Sequence, residues 1–463
     1  ERRSGMKNKK IDMLNGPLVG KIVIFALPLA LSSILQQLFN SADLAVVGRF
    51  DSDKAMAAVG SNSSLVNLIV SLFLGLSVGA NVVVARLIGQ GRKDKANEAV
   101  HTVVLLAVIS GFIILGVGEI LAPILLGMMN VPDDVLKLAT LYLRIFFFAM
   151  PFIEIYDFGS AVLRSKGDST RPLYALITAG VINVILNLVF VIVFKMGVAG
   201  AAVATVIGQF CGCALAIYFN HKKNTDITLS IRGFRPDFRL IGEIYAIGLP
   251  SVIMIAIGSV MTFLMNKILI TYHAAHETAA TAFGAYFKLN SFIFMPVFGM
   301  NNGVVPIVAY NYGARNRKRM VETIKRGALY ASIIMVFGTV LFWVIPGPLL
   351  KIFDATDTML SVGIPALRII SISFCMAGAC IALGASFQAL GRSLYSMITS
   401  IVRQLVFLIP IAYVLARYGA SVGNSDLVWW SYPIAEVFSL TLTLFFFRHL
   451  YKTVIAQLPE GRE

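Results

Sequence analysis

PLALSSILQQLFNSADLAVVG, running from Pro28 to Gly48, decides how this chain is read. The stretch is mostly apolar and lies in a longer hydrophobic run. At 1.5 Å per residue a helix of this length crosses the roughly 30 Å hydrocarbon layer of a bilayer. Yet it carries Gln36, Gln37, Asn40 and Asp43. Ser33, Gln36, Asn40 and Asp43 fall at i, i+3, i+7 and i+10, one stripe of a helix face. A polar stripe ending in a carboxylate is costly inside a membrane unless it faces protein or water. The expectation is a buried stripe with Asp43 as a functional group. The competing reading places Asp43 near the outer helix end, simply solvated.

The rest of the composition agrees with a membrane setting. Of 463 residues, 57% are hydrophobic and 14% charged, against roughly 25% charged in soluble domains. The spacing of apolar runs predicts an all-α polytopic protein with twelve transmembrane helices, near 18–46, 55–84, 99–122, 136–163, 171–194, 198–220, 240–270, 279–307, 323–345, 361–388, 394–416 and 427–450. The net charge of +15 could suggest nucleic acid, but its distribution argues against such a partner. Alternate loops carry 28 Lys and Arg on one side and five on the other (Arg49, Lys54, Lys195, Lys351 and Arg417). That asymmetry predicts cytoplasmic termini and supports the span count. Six further cations, Lys137, Arg144, Lys267, Lys288, Arg368 and Arg403, lie within spans or at their edges, where some can snorkel. No signal peptide is expected, because the first apolar run continues into Asp43 without a cleavage site. Glu1–Gly5, ahead of Met6, read as an appended remnant.

An internal repeat organises these spans. Gly89 in VVVARLIGQGRKDK (82–95) matches Gly313 in VVPIVAYNYGARNRK (304–318), an offset of 224. The same offset relates YLRI at Tyr142 to ALRI at Ala366, and RSKGDSTRPLY around Gly167 to QALGRSLY around Gly391. Two parallel six-helix lobes are therefore expected, residues 18–220 and 240–450. An N-terminal segment (1–17), a linker (221–239) and a tail (451–463) would be cytoplasmic. Parallel repeats of this kind build transporters whose substrate site lies at the repeat interface.

Enzymatic chemistry finds no support. There is no HExxH, no GxSxG and no Walker A loop, so neither an enzyme nor an ATP-driven pump is expected. The four cysteines, Cys211, Cys213, Cys375 and Cys380, sit in apolar runs without metal-ligand spacing. His273 and His276 have metal-like spacing but no third ligand nearby, and read as a loop feature. No cofactor and no resident metal are expected.

Five stretches in order carry a family resemblance: Pro28 through Asp43 to Gly48, LIGQGRKDKA (87–96), GDSTRPL (167–173), GVAGAAVATVIGQ (197–209) and NYGARNRKRM (311–320). Together they resemble the multidrug and toxin extrusion (MATE) family, and most of all its bacterial MepA-like branch, over residues 14–450. The resemblance implies two six-helix lobes arranged as a V. It also implies export of cationic or amphipathic small molecules in exchange for H+ or Na+, by a monomer embedded in the lipid bilayer of the bacterial cytoplasmic membrane. Family members place an aspartate on the first helix at a cation site, matched here by Asp43; the other matching positions are Asn183, Asn187 and Thr205. A carboxylate, two amides and a hydroxyl offer hard oxygen ligands, so transient Na+ at Asp43 is one outcome. The same carboxylate could instead carry a proton. Some members hold a second aspartate where this chain has Asn187, which lowers the charge here. The asparagines could alternatively serve helix–helix hydrogen bonding. Acids that other branches carry in the seventh and tenth helices have no match in 251–263 or 369–388, so a second-lobe sodium site is not expected.

Gln36 and Asn40 are expected to line the substrate cavity. Glu154 and Asp157 could add an anionic wall or a proton path, or instead be solvated from the inward mouth or pair with Arg164. Lys288, Arg403 and Glu436 are expected to form a structural polar network in the second lobe, since unpaired charge there is costly. A second reading, a lipid-linked oligosaccharide or lipid flippase of the same superfamily, stays open because of Lys288 and Arg403.

Overall fold

A computed structural model describes residues 18–129, 132–222, 237–353 and 355–459, without the side chains of Leu18, Val19, Asp53, Ser64 and Asp134. The N-terminal segment 1–17, most of the expected linker and the end of the tail lie outside the described residues. Sixteen α-helices follow in order: α1 (Leu18–Phe50), α2 (Asp53–Gly89), α3 (Lys93–Met128), α4 (Asp133–Phe147), α5 (Met150–Ser165), α6 (Thr170–Leu188), α7 (Gly197–Lys222), α8 (Phe238–Tyr272), α9 (His276–Gly313), α10 (Arg317–Val344), α11 (Pro346–Lys351), α12 (Asp357–Ser371), α13 (Phe374–Ala389), α14 (Ser393–Ile401), α15 (Ile409–Val422) and α16 (Ser431–Leu450). Ten helical stretches are long and apolar enough to cross a membrane, and two bent pairs raise the number to twelve.

Those pairs correct one expectation. The fourth and tenth spans are not single helices: α4 and α5 meet at 46°, α12 and α13 at 50°. The breaks fall at Phe148–Ala149 and Ile372–Ser373, again 224 residues apart. Pro151 follows the first break and removes a donor. The second break has no matching proline. There, carbonyls are satisfied by hydroxyls: Ser373 Oγ donates to Ile370 O at 2.7 Å, and Thr339 Oγ1 to Ser371 O at 2.8 Å.

The backbone carries the repeat as well. Gly167 and Gly391 both hold positive φ, +83° and +72°, at the turns before α6 and α14. Gly91 (+72°) corresponds to Arg315 (+56°), so the second copy keeps the left-handed turn without the glycine that relieves its strain. Side-chain caps set several helix starts. Ser52, Asn316 and Thr356 accept from the backbone N–H three residues on, at 3.2, 3.1 and 3.3 Å.

The helices form two compact units. The first holds residues up to Gly248 together with 309–314; the second holds 249–308 and 315–463. Within the first, Val47, Val59, Leu143, Phe147 and Met150 centre the core. Buried amides tie its helices together: Asn62 Nδ2 donates to Ala139 O at 2.9 Å, joining α2 to α4, and Asn220 Nδ2 to Gly159 O at 3.0 Å, joining α7 to α5. Gly89 and Gly313 make a reciprocal close approach inside this unit. A Cβ at Gly89 would overlap the carbonyl of Tyr310, and one at Gly313 would overlap that of Arg86. The second unit is built around aromatic contacts among Phe283, Tyr286, Phe342, Phe374 and Trp429.

Candidate functional site

Small residues decide where the polar side chains of the first unit meet. Gly180 on α6 leaves a notch that the ring of Phe39 on α1 fills; a Cβ at 180 would overlap that ring. Phe39 is one turn before Asp43, and Gly180 is two turns before Asn187. The notch therefore sets the register in which those two residues face each other. Gly208 on α7 does the same against α6, where a Cβ would press on Ala179 O and Asn183 Cβ. Thr205 lies one turn before Gly208 and so meets Asn183.

The resulting cluster is buried and specific. Asn187 Nδ2 donates to Asp43 Oδ1 at 2.8 Å. Asn183 Nδ2 donates to Thr205 Oγ1 at 3.0 Å, and Thr205 Oγ1 donates back to Ala201 O at 3.1 Å. Asp43, Asn183, Asn187 and Thr205 are all below 10% exposed. The amide oxygens Asn183 Oδ1 and Asn187 Oδ1 are buried with no hydrogen-bond partner. A carboxylate thus sits beside two amide carbonyls whose lone pairs are free to accept from a donor or coordinate a cation. Among the described residues, no group of three or more His, Cys, Asp or Glu has metal-holding geometry.

Tyr142 joins this cluster from α4, buried and near enough to Asp43 and Thr205 for both to act on its hydroxyl. Sequence reading took Tyr142 only as a repeat marker. Its signal was a polar tip in an otherwise apolar run, and its partners lie on two other helices, α1 and α7.

The stripe on α1 is not uniformly buried. Asp43 is buried, while Gln36 and Asn40 are exposed. The carboxylate alone turns into the helix packing; the earlier turns of the stripe lie on an open face. Glu154 and Asp157 differ from the expected anionic wall in the opposite sense, since both are buried inside the first unit. Ser110 Oγ on α3 lies 3.4 Å from Glu154 Oε2, and Arg164 is the charge that acts on Asp157. The helix kinked at Pro151 packs tightly on Gly111, which turns this face of α5 inward.

In the second unit, Arg403 Nη1 lies 3.6 Å from Glu436 Oε2. Lys288 does not join them as expected; its ammonium stands 5.6 Å over the ring of Phe353. Tyr286 and Cys380 instead sit close to the Arg403–Glu436 pair. Lys288 is two residues from Tyr286 on α9, which puts it on a different helix face.

Apolar helices that span a membrane, an internal repeat and a buried carboxylate within one helix cluster define a polytopic membrane transporter. The MatE family model matches residues 28–189 and 250–414. The chain belongs to the MatE family, and it is a transporter, not an enzyme. It is 27% identical to a probable multidrug resistance protein, YoeA, of Bacillus subtilis, over 93% of each chain. It is 24% identical to the multidrug export protein MepA of Staphylococcus haemolyticus, over 95% of this chain and 96% of that one. A MATE protein crystallised in the bent conformation shares the fold with a TM-score of 0.89, at 24% identity, over 96% of this chain and 99% of that one.

Proposed function

We propose that this chain is a secondary active antiporter that exports cationic or amphipathic organic compounds in exchange for H+ or Na+ by alternating access. It would act as a monomer in the bacterial cytoplasmic membrane, with both termini cytoplasmic. The names of the relatives, multidrug resistance and multidrug export proteins, support drug export; the cationic or amphipathic class comes from the family resemblance. The observation that carries the reading is the Asp43–Asn187 contact beside two amide oxygens that lack donors.

The chemistry follows from those groups. Ionised, Asp43 accepts from Asn187 Nδ2. Protonated, it becomes a donor, and the open amide oxygens are acceptors within the same cluster. Na+ would use the same set, one carboxylate with amide and hydroxyl oxygens, all hard ligands. Because position 187 is an asparagine, the cluster holds one carboxylate and so one titrating or compensating charge. Gln36 and Asn40, exposed on the turns of α1 before Asp43, would contact substrate. Loading Asp43 and occupying that face would compete through the position of α1.

The test is transport of a fluorescent cationic dye into proteoliposomes, with Na+ and proton gradients imposed separately. Asp43→Asn should abolish gradient-driven transport while elution on size exclusion stays unchanged. Transport at the wild-type rate in that variant would refute the role of Asp43. Dependence on one gradient alone identifies the coupling ion. The flippase reading draws on Arg403, whose side chain is 27% exposed beside Glu436; translocation of a headgroup-labelled lipid without dye transport would favour it.

A further inference from the structure

One face of α5 carries a row of polar side chains that the Asp43 cluster does not use. Glu154, Asp157, Ser160 and Arg164 fall at i, i+3, i+6 and i+10, a slanting stripe about 15 Å long. Glu154 is 0% exposed, Asp157 5% and Ser160 2%, and Arg164 is half-buried. Each of the four holds a buried atom with no hydrogen-bond partner: Glu154 Oε1, Asp157 Oδ2, Ser160 Oγ and Arg164 Nε. Buried polar atoms nearly always find a partner. Four in file without one point to a small mobile species among them, water and the proton it carries. The row ends at Arg164, one residue before the end of α5 at Ser165 and beside the turn through Gly167. That turn belongs to the cation-rich side of the chain.

Charge does not balance along this row, where two carboxylates meet one cation. Ser110 Oγ lies 3.4 Å from Glu154 Oε2. Asp157 and Arg164 act on each other, yet among the described residues they form no ion pair. The Tyr156 hydroxyl donates to Pro172 O at 3.1 Å and is near enough for Asp157, Ser160 and Arg164 all to act on it. The Ser160 hydroxyl therefore belongs to the same cluster as the acids and the cation. Charged groups on neighbouring helices are engaged elsewhere: Arg86 of α2 with Glu243, Glu119 of α3 with Arg144, and Arg171 of α6 with Asp168. Two carboxylates sharing one buried site do not both ionise, because the second charge has no compensation there.

We infer that this row is a proton-binding site separate from Asp43, in which Glu154 and Asp157 hold one proton between them and exchange it with the cation-rich side of the membrane past Ser160 and Arg164. Only O–H bonds are made and broken. With the proton bound the row is neutral, one carboxylate against one guanidinium; with the proton released it carries one negative charge. The site lies wholly in the first unit. It depends neither on Asp43 nor on the compound carried. Where export is driven by H+, it adds a second proton to the one proposed at Asp43.

Infrared spectroscopy of the full chain in lipid at neutral pH tests this through the C=O band of protonated carboxylic acids. Glu154→Gln should lose a band that the wild type shows, and Asp43→Asn should keep it. Arg164→Gln removes the only cation, so a second proton should bind and the band should about double. On transfer to D2O the wild-type band should shift at once as O–H becomes O–D, whereas Ser160→Val, which blocks the row with an apolar side chain, should delay the shift. An unchanged band in Glu154→Gln, or exchange in Ser160→Val as fast as in the wild type, would overturn the inference. Loss of the band in Asp43→Asn but not in Glu154→Gln would also overturn it and leave the role of Asp43 standing. If Glu154→Gln does not elute as the wild type does, Arg164→Gln decides: a doubled band supports the site, an unchanged one removes it.

Discussion

Asn187 donates to Asp43 across 2.8 Å, joining two helices whose residues are 144 positions apart in the chain. The contact gives a buried carboxylate a donor that it could not find on its own helix. Asn187→Ala removes it and leaves the Asp43 oxygen without that partner. The expected cost is about 1–3 kcal/mol, read as a lower midpoint of thermal unfolding in detergent, together with reduced gradient-driven dye transport. Asn40→Ala, on the exposed turn of the same helix, should stay within about 0.5 kcal/mol. Equal effects at the two positions would mean that the hydrogen bond contributes nothing particular.

The notch at Gly180 makes a sharper test of how that contact is positioned. Gly180→Val would push the Phe39 ring away and shift α1 against α6. Overpacking of this kind costs about 1–3 kcal/mol. Transport should fall even though no polar group of the cluster has been touched. Phe39→Ala in the same chain should recover part of both losses, since the two changes share one space. Strictly additive effects in the double variant would show that the notch does not set the register.

Arg403 and Glu436 are unequally buried, with side chains 27% and 8% exposed. Removing Arg403 strands the carboxylate in the interior, whereas removing Glu436 leaves a less buried guanidinium on a long stem that can swing away from the packed interior. Arg403→Met should therefore cost more than Glu436→Met, toward the upper end of the about 3–5 kcal/mol seen on breaking buried pairs. The double methionine variant should regain most of that stability. Thermal unfolding of the three variants side by side decides the order.

His273, between α8 and α9, gives a pH signature. Its Nδ1 accepts from Ala275 N–H at 3.1 Å, so the neutral ring carries its proton on Nε2, which is buried without a partner. Burial holds its pKa below the usual histidine value; Asp426 acts in the raising sense and His276 in the lowering sense. The unfolded chain then takes up the proton before the folded one does. Stability should fall as pH drops through about 6.5 and level off below the lower folded value. His273→Gln should flatten that part of the unfolding midpoint measured between pH 7.5 and 5. An unchanged slope would place the titration elsewhere.

How much of this was legible in the sequence differs from residue to residue. Asp43 stood out because a carboxylate in an apolar helix is costly wherever it points, so its presence alone is a signal. Gln36 and Asn40 share its stripe but not its burial, because a helix face narrows or widens according to what packs on it. Tyr142 stayed hidden because a tyrosine in an apolar run looks like core until its hydroxyl is located. Lys288 was grouped with Arg403 and Glu436 on charge alone; its position two residues from Tyr286 turned it to Phe353 instead. Glu154 and Asp157 were equally ambiguous, since an i,i+3 pair of acids has one face but nothing in the spacing says what that face meets.

By itself the sequence determined that this chain lives in a membrane, where its apolar runs lie, that it repeats with a period of 224, and that one lobe carries an acid in its first helix while the other does not. Those are properties of composition and periodicity along single helices, and they need no knowledge of neighbours. The tertiary structure alone decided that the fourth and tenth spans bend, that the donor of Asp43 is Asn187, and that Lys288 stands over Phe353 rather than beside Glu436. Each of these depends on where two helices cross. Crossings are set by small residues and packed rings, Gly180 against Phe39 and Gly208 against Ala179, whose partners lie far away in the chain and leave no periodic trace in it.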